Sequence, residues 1–401
     1  MRTYESCSAG NQITYRSSVL CTDQNKSLRG NVTSLLLATA AGALAFLAAL
    51  SFTPFTSKLA RRWGILDHPN ASIGHKRHDS VTPYLGGVAI AAGMMVGSLM
   101  LIPVRVSKLD SPRQLVLGLA LAGALGLVGL YDDVRPTSRT LRFAVQLLAA
   151  GGAWALGFRV EAAPWEALNI FFSVVWLVGI TNAFNLLDNM DGLSAGMAGV
   201  SALSFMILAG LGELWVLSVI AASLAGAAFG FLIHNKHPAK VFMGDAGSMF
   251  IGFTLALIGL EIRFDNLEQF TFLIPVVVLG VPILDTTIVV FSRLRHGMSP
   301  FQAARDHISH RLVKAGLQVR TAVGLLYWAG LCLGWLGLVI SRANAQVGWM
   351  LLGFVGALGA FFASLLMRVP VYEQATLQVA NDPDEIKDER MSEPPRDLTA
   401  R

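Results

Sequence analysis

The segment "FFSVVWLVGITNAFNLLDNMDGL" covers residues 171–193 and contains the features that decide both the fold and the search for a site. Its first half is an unbroken apolar run, which is typical of a helix that crosses a membrane. Its second half carries asparagines and two acids, with Asp188 and Asp191 three residues apart. An apolar span that ends in such a polar group predicts a functional site at one face of the membrane.

The rest of the chain repeats this apolar character. Of its 401 residues, 54% are hydrophobic and only 14% are charged, and the mean hydropathy is +0.56. A soluble chain of this length would need more charge to cover its surface, so the composition predicts an integral membrane protein. The cysteines at 7, 21 and 332 form no CxxC pair, which argues against a zinc site and a disulfide framework.

Apolar stretches along the chain predict an all-α, polytopic membrane protein with about eleven transmembrane helices. The stretches cover 32–52, 85–103, 114–131, 141–158, 168–184, 193–210, 214–233, 247–260, 269–290, 320–340 and 346–367. We expect residues 32–367 to form one transmembrane domain. The polar residues 1–31 predict a disordered extension, and residues 368–401 predict a charged, disordered cytoplasmic tail.

The connections between these spans differ in charge from one face to the other. One face holds about two thirds of the 31 Lys and Arg residues, which makes it cytoplasmic by the positive-inside rule. All eight histidines fall on the same face: His68, His75, His78, His234, His237, His296, His307 and His310. Five acids lie at span ends on this face: Asp132, Asp133, Asp188, Asp191 and Asp245. We therefore expect an active-site cleft on the cytoplasmic face.

Three stretches on that face carry carboxylates or cations that suit a metal ion or a phosphate. "DHPNASIGHKRHDSVTPYLGG" (67–87) offers Lys76 as a mobile charge for a phosphate. "YDDVRP" (131–136) places two carboxylates side by side, a pair that Mg²⁺ with a diphosphate would neutralise. "HNKHPAKVFMGDAGSMFIGF" (234–253) sets Asp245 between glycines where a span begins, so that metal and phosphate can approach the backbone.

Two further stretches carry polar residues at helical spacing. Asn185, Asp188 and Asp191 recur every third residue and would form one polar stripe near a helix end, with Gly192 permitting a tight turn. His307 and His310 have the same spacing in "RLRHGMSPFQAARDHISHRLVKAGL" (293–317), which fits a short amphipathic helix. Such a helix could equally lie on the membrane surface with its cations reaching the interface.

Taken together and in this order, these stretches resemble the polyprenyl-phosphate N-acetylhexosamine-1-phosphate transferases. The superfamily includes the phospho-MurNAc-pentapeptide translocase, and the likeness covers roughly residues 35–367. It rests on "KRHDSVTPYLGG", "YDD", "NAFNLLDNMDGL", "NKHPAKVFMGDAGS", "PILDT" and "DHISHRL". The resemblance implies transfer of a sugar 1-phosphate from a UDP-sugar to undecaprenyl phosphate, with UMP leaving. It also implies a Mg²⁺ requirement, with Mn²⁺ as a substitute, and eleven spans around a cytoplasmic cleft.

The resemblance also implies roles for individual residues. Asp245 would be the principal Mg²⁺ ligand, and Asp132 would hold metal or activate the lipid phosphate, supported by Asp133. The remaining residues would contact the UDP-sugar, the metal region or a phosphate: Lys76, Asn185, Asp188, Asp191, Asn235, Phe242, His307, His310 and Arg311. The first and last loops favour the GlcNAc-1-phosphate branch, with UDP-MurNAc-pentapeptide as the alternative donor.

The chain departs from the family pattern at two positions. Ser309 stands where the last motif, His-x-His-His, has its second histidine, and Asn189 stands where the family often has glycine. Neither change removes a carboxylate assigned to catalysis. We expect one phosphate contact or the sugar preference to differ.

Other functions predict different patterns. A membrane prenyltransferase would carry two DxxxD-type motifs, and a secondary transporter would carry inverted repeats with acids near the bilayer midplane. A catalytically inactive scaffold would not need all four of the acids Asp132, Asp188, Asp191 and Asp245. The expected partners are polyprenyl phosphate, a UDP-sugar and the bilayer of a bacterial inner membrane, with no nucleic acid. Family resemblance alone suggests a homodimer.

Overall fold

A computed structural model describes residues 5–67, 81–101, 112–264, 271–300 and 304–371, with side chains of the first helix from Ser34 onward. Thirteen α-helices and one short 3₁₀ helix, Leu99–Leu101, lie in these ranges. The α-helices are α1 (Glu5–Trp63), α2 (Gly86–Ser98), α3 (Pro112–Val134), α4 (Arg139–Leu156), α5 (Glu166–Leu187), α6 (Leu193–Leu211), α7 (Trp215–Asn235), α8 (Gly244–Glu261), α9 (Leu273–Val278), α10 (Gly280–Arg295), α11 (Ile308–Lys314), α12 (Val319–Arg342) and α13 (Ala345–Met367).

The predicted all-α architecture is confirmed. Within the described residues, seven helices are long and apolar enough to cross a membrane. They are α3, α5, α6, α7, α12, α13 and residues 34–63 of α1. Each predicted apolar stretch contains helix, but the stretch 269–290 is divided between α9 and α10 at Leu279. The boundaries predicted near residues 31 and 368 stay predictions, and residues 372–401 lie outside the described residues.

Small residues bring the central helices close together. One stripe of α1, with Ala38, Ala41, Ala45 and Ala49, is fully buried, and α1 packs against α2 and α7. Where α1 meets α7, a Cβ at Gly226 would overlap the carbonyl of Gly42. Close backbone approach through small residues is the usual packing mode of membrane helices, because lipid supplies little hydrophobic drive for their association.

Helix α8 lies inside the bundle. It packs against α3 and α5, and every residue from Ala246 to Leu260 is buried. Its two acids, Asp245 and Glu261, lie at opposite ends. By contrast, α13 lies at the periphery, where Gly348 is its one buried residue and large apolar side chains are exposed. This distribution suits a protein whose outer surface faces lipid.

A two-residue antiparallel pairing anchors the first polar loop. Strand β1 (Leu66–Asp67) pairs with β2 (Thr82–Pro83), with Leu66 opposite Pro83. The chain from β2 then runs beside the start of α8, because the amides of Gly86 and Gly87 donate to the carbonyls of Phe242 and Met243, each at 3.0 Å. The residues that follow the Lys76 loop therefore lie beside the segment that leads into α8, and Lys76 itself lies outside the described residues.

Candidate functional site

The two acids of the YDD stretch lie in the last turn of α3 and have different partners. Asp133 accepts the backbone amides of Asp245 at 2.8 Å and Ala246 at 3.1 Å. Asp132 accepts the amide of Thr137 at 2.7 Å and also its hydroxyl. Neighbouring side chains on a helix point about 100° apart, so one acid can face α8 while the other faces α4. Asp133 thus fixes the N-terminus of α8 in place.

Asp245 lies in the first turn of α8, directly after a glycine whose backbone is in the left-handed conformation. Gly244 has φ of 73°, and a Cβ there would collide with the carboxylate of Asp133. Glycine adopts this left-handed conformation at little cost. The turn places the Asp245 carboxylate beside Asn185 of α5, whose Nδ2 donates to Asp245 Oδ1 at 2.8 Å and to Ser248 Oγ at 3.0 Å.

Arg142 is a member of this site that the sequence motifs did not reveal. It comes from the first turn of α4, which Ser138 caps through its hydroxyl. Its Nη1 donates to Asp132 Oδ2 at 2.7 Å and also to Asp245 Oδ2. One cationic nitrogen therefore joins two carboxylates from α3 and α8. We call the set Asp132, Asp133, Arg142, Asn185 and Asp245 the acidic cluster.

The acidic cluster offers the donor types that a magnesium ion prefers. Within the described residues, no group of three or more His, Cys, Asp or Glu side chains is arranged to hold a metal alone. Mg²⁺ bound with phosphates usually takes only one or two carboxylates and completes its shell with phosphate and water oxygens. The cation of Arg142 between Asp132 and Asp245 shows that these two carboxylates already converge on one positive charge. The residues present therefore fit Mg²⁺.

The stripe predicted from the three-residue spacing is wrong beyond Asn185. Helix α5 ends at Leu187, so Asp188 caps its C-terminus and Asp191 lies in the turn before α6. Asp191 Oδ2 instead accepts from the ring of His237 at 2.8 Å and from the amide of Ala239 at 3.1 Å. The tight turn predicted at Gly192 is confirmed by its φ of 77°.

Asn235 ties this turn to the loop before α8. Its Oδ1 accepts the amide of Gly192 at 3.0 Å, and its Nδ2 donates to the carbonyl of Val241 at 2.9 Å. The hydroxyl of Tyr327 in α12 also donates to the Gly192 carbonyl, at 2.6 Å. Both ends of the Asn235 amide thus bind protein backbone, which favours a positioning role for this residue.

Phe242 is buried beside the first loop. Its ring lies 6.0 Å from that of Tyr84, and 2% of the residue is exposed, so a nucleobase would have to displace neighbouring groups to stack on it. Burial raises the pKa of the Tyr84 hydroxyl, and its hydrogen bond with Asp67 and the charges of Asp67, Asp133 and Asp188 raise it further. The charges of Asp133 and Asp188 therefore both act on the Tyr84 hydroxyl.

The two predicted histidines lie at the start of α11. His307 is the residue before the helix, and its Nδ1 is 2.8 Å from Asp285 Oδ2. The other oxygen of Asp285 accepts the amide of Ile308 at 2.7 Å. The ring of His310 lies 6.2 Å from that of His307. The short helix predicted here is confirmed, and Asp285, a buried acid of α10, fixes its beginning.

Arg311 is held by protein acceptors on several sides. Its guanidinium donates to the carbonyls of Asp306, Leu366 and Val369 and to the hydroxyl of Ser292. Only 1% of the residue is exposed. These contacts join α10, α11 and the end of α13, and they favour a structural role over the substrate contact expected from the resemblance.

The chain is similar in sequence to known proteins. The chain matches the family model described as glycosyl transferase family 4 over residues 115–263, a segment that contains the whole acidic cluster. It is 32% identical to a probable undecaprenyl-phosphate N-acetylglucosaminyl 1-phosphate transferase of Bacillus subtilis, over 75% of this chain and 84% of the relative.

Two further relatives carry similar names. An undecaprenyl-phosphate alpha-N-acetylglucosaminyl 1-phosphate transferase of Yersinia pestis is 32% identical over 77% of this chain and 85% of its own. A decaprenyl-phosphate N-acetylglucosaminephosphotransferase of Mycobacterium tuberculosis is 32% identical over 72% of this chain and 77% of its own. The chain therefore belongs to glycosyl transferase family 4, the polyprenyl-phosphate N-acetylhexosamine-1-phosphate transferase family that its motifs resemble.

Proposed function

We propose that the protein transfers N-acetylglucosamine 1-phosphate from UDP-N-acetylglucosamine to a polyprenyl phosphate. UMP leaves, and a lipid-linked sugar diphosphate stays in the membrane. The observation that carries this proposal is the convergence of Asp132 and Asp245 on Arg142, beside Asn185. The names of the relatives support the sugar and the lipid acceptor.

The proposed chemistry is direct phosphoryl transfer. An oxygen of the lipid phosphate attacks the β-phosphorus of the UDP-sugar, the new P–O bond forms, and the bond to the bridging oxygen breaks to release UMP. Such reactions depend on positioning and on neutralising charge more than on covalent catalysis by the protein. Mg²⁺, or Mn²⁺ in its place, would supply positive charge at the phosphates.

We assign separate roles to four residues of the acidic cluster. Asp245 and Asp132 would hold the metal, Asn185 would orient Asp245, and Asp133 would hold the start of α8. Outside the cluster, the Asp191–His237 pair and the histidines of α11 would face the nucleotide and the phosphates. Lys76 would complete the phosphate contacts from the first loop.

The proposed topology has eleven crossings of a bacterial inner membrane, with the acidic cluster on the cytoplasmic side. Besides the seven long apolar helices, α2, α4, α8 and the pair α9–α10 would cross. In support, α8 is buried between other helices, where a polar residue at its end and irregular neighbouring backbone can be accommodated. The charge distribution between the two faces supports the orientation. Homodimer formation is proposed from the family resemblance only.

The proposal is tested with purified full-length protein, undecaprenyl phosphate, Mg²⁺ and a panel of UDP-sugars. We expect UMP release and a lipid-linked sugar with UDP-N-acetylglucosamine, and loss of both on chelation of the divalent ion. Turnover of UDP-MurNAc-pentapeptide instead would show that this nucleotide is the donor. If no donor gave UMP and the protein transported a solute in vesicles, it would be a transporter and not this enzyme.

A further inference from the structure

Arg142 occupies the very oxygens that a metal ion would need. Asp132 Oδ1 already accepts from Thr137, and Asp245 Oδ1 already accepts from Asn185. The two remaining carboxylate oxygens, Oδ2 of Asp132 and Oδ2 of Asp245, are both bonded to Nη1 of Arg142. A divalent ion held by Asp132 and Asp245 would therefore compete with the Arg142 nitrogen for these two oxygens.

The rest of the guanidinium remains available. Within the described residues, the hydrogen bonds of Arg142 are made through Nη1, so Nη2 and Nε have no acceptor there. The side chain is 27% exposed and that of Asp245 is 26% exposed, so a ligand can reach both from outside. A guanidinium presents several N–H groups in one plane, and this arrangement matches two oxygens of a phosphate.

We propose that Arg142 is a resident counter-ion that holds the two carboxylates together before the divalent ion binds, and that the ion displaces it onto a phosphate oxygen of a substrate. This inference rests on the proposed function, which supplies the divalent ion and the phosphates. Without a cation between them, Asp132 and Asp245 would repel each other, so Arg142 stabilises the metal-free site. After displacement, the same charge lies where negative charge accumulates during transfer.

The physical consequence is a competition between two cations. Removing the guanidinium removes a positive charge from both ligand oxygens, so the divalent ion should bind more tightly to the variant than to the wild type. The metal-free protein should at the same time be less stable, because the two acids lose their shared partner. A residue that only helps to build a metal site would give the opposite result, which is weaker metal binding.

The experiment measures Mn²⁺ binding by electron paramagnetic resonance, and thermal unfolding without divalent ions, in full-length protein and in the absence of nucleotide. Arg142→Gln should bind Mn²⁺ at least about ten-fold more tightly and unfold at a lower temperature. Arg139→Gln is the matched control, since Arg139 is an exposed residue in the same turn of α4, and it should behave as wild type. Arg142→Lys keeps a cation and should bind Mn²⁺ less tightly than Arg142→Gln. It also provides the comparison if Arg142→Gln does not fold.

Equal or weaker Mn²⁺ binding by Arg142→Gln would overturn the displacement. Steady-state kinetics of Arg142→Gln test whether the displaced guanidinium contacts a substrate phosphate. A raised KM for the UDP-sugar assigns the guanidinium to the diphosphate, and a raised KM for the lipid assigns it to the lipid phosphate. Unchanged kcat and KM for both substrates would overturn transfer of Arg142 to phosphate. Failure of wild-type turnover would count against the proposed function alone, because metal binding is measured without substrates.

Discussion

The hydroxyl of Ser309 donates to Oδ1 of Asn189 at 2.7 Å, and both residues are buried. These are the two positions at which the chain departs from the family pattern, and they contact each other across 120 residues of sequence. Nδ2 of Asn189 also donates to the carbonyl of Leu186 at 2.8 Å. The two departures thus form one link between the turn after α5 and the start of α11.

This link predicts that the two positions are energetically coupled. Ser309→Ala and Asn189→Gly should each lower the unfolding temperature, by the equivalent of about 1 kcal/mol for one buried hydrogen bond. The double variant should fall by less than the sum, because the second change removes a bond that is already lost. Thermal unfolding of the four proteins in detergent measures this. Strictly additive shifts would show that the hydrogen bond contributes nothing.

Close approach of α3 and α8 sets the geometry of the acidic cluster. A Cβ at Gly129 would lie under 3 Å from the backbone of Asp245 and Ala246, whereas a Cβ at Gly123 in the same helix would have no neighbour within 4 Å. Gly129→Ala should therefore push α8 away and reduce turnover strongly, with a loss of stability of about 1–3 kcal/mol. Gly123→Ala should leave both unchanged. Equal effects of the two substitutions would contradict the close approach.

Asp191 should act through His237. The carboxylate holds Nδ1 of the ring, so Nε2 is the ring nitrogen left for a contact with substrate. We expect Asp191→Asn and His237→Gln each to lower kcat/KM for the UDP-sugar. The double variant should lose no more activity than the more impaired of the two single variants. Independent, multiplying losses in kcat/KM would instead show that Asp191 touches substrate by itself.

Arg311 should be needed for stability rather than for substrate affinity. Arg311→Lys loses the planar donor set that reaches Asp306, Ser292 and the end of α13. The unfolding temperature should drop, by the equivalent of about 1.5–3 kcal/mol for a lost charge-assisted bond. The KM for both substrates should stay near the wild-type value. A raised KM without a change in unfolding temperature would restore the substrate contact that the resemblance implies.

The sequence predicts the helices and much of the acidic cluster because both leave local signals. Apolar length marks the spans, and the glycines around Asp245 mark a special turn before α8. The sequence does not predict Arg142, because an arginine at a helix end that is predicted to be cytoplasmic satisfies the positive-inside rule whatever its partner. It also does not predict the different partners of Asp132 and Asp133, because adjacent acids in sequence give no sign of which helix each one faces.

The polar stripe fails for a physical reason. Periodicity assumes that the helix continues, but α5 ends at Leu187, and the following turn sends Asp191 toward His237 rather than Asp245. Contacts between residues far apart in sequence, such as Asn189 with Ser309 or Asp285 with His307, depend on how the helices pack. A single sequence carries the residue types for these contacts but not their pairing.

The assignment of phosphoryl transfer to the acidic cluster is tested most directly by UMP release from UDP-N-acetylglucosamine in purified Asp245→Asn, with undecaprenyl phosphate and Mg²⁺. Glu261→Gln, which changes the acid at the opposite end of α8, is the matched control. We predict that Asp245→Asn loses turnover by at least about a hundred-fold, the scale of removing one electrostatic group from a reaction centre, while Glu261→Gln keeps it. Wild-type UMP release by a folded Asp245→Asn would contradict the assignment.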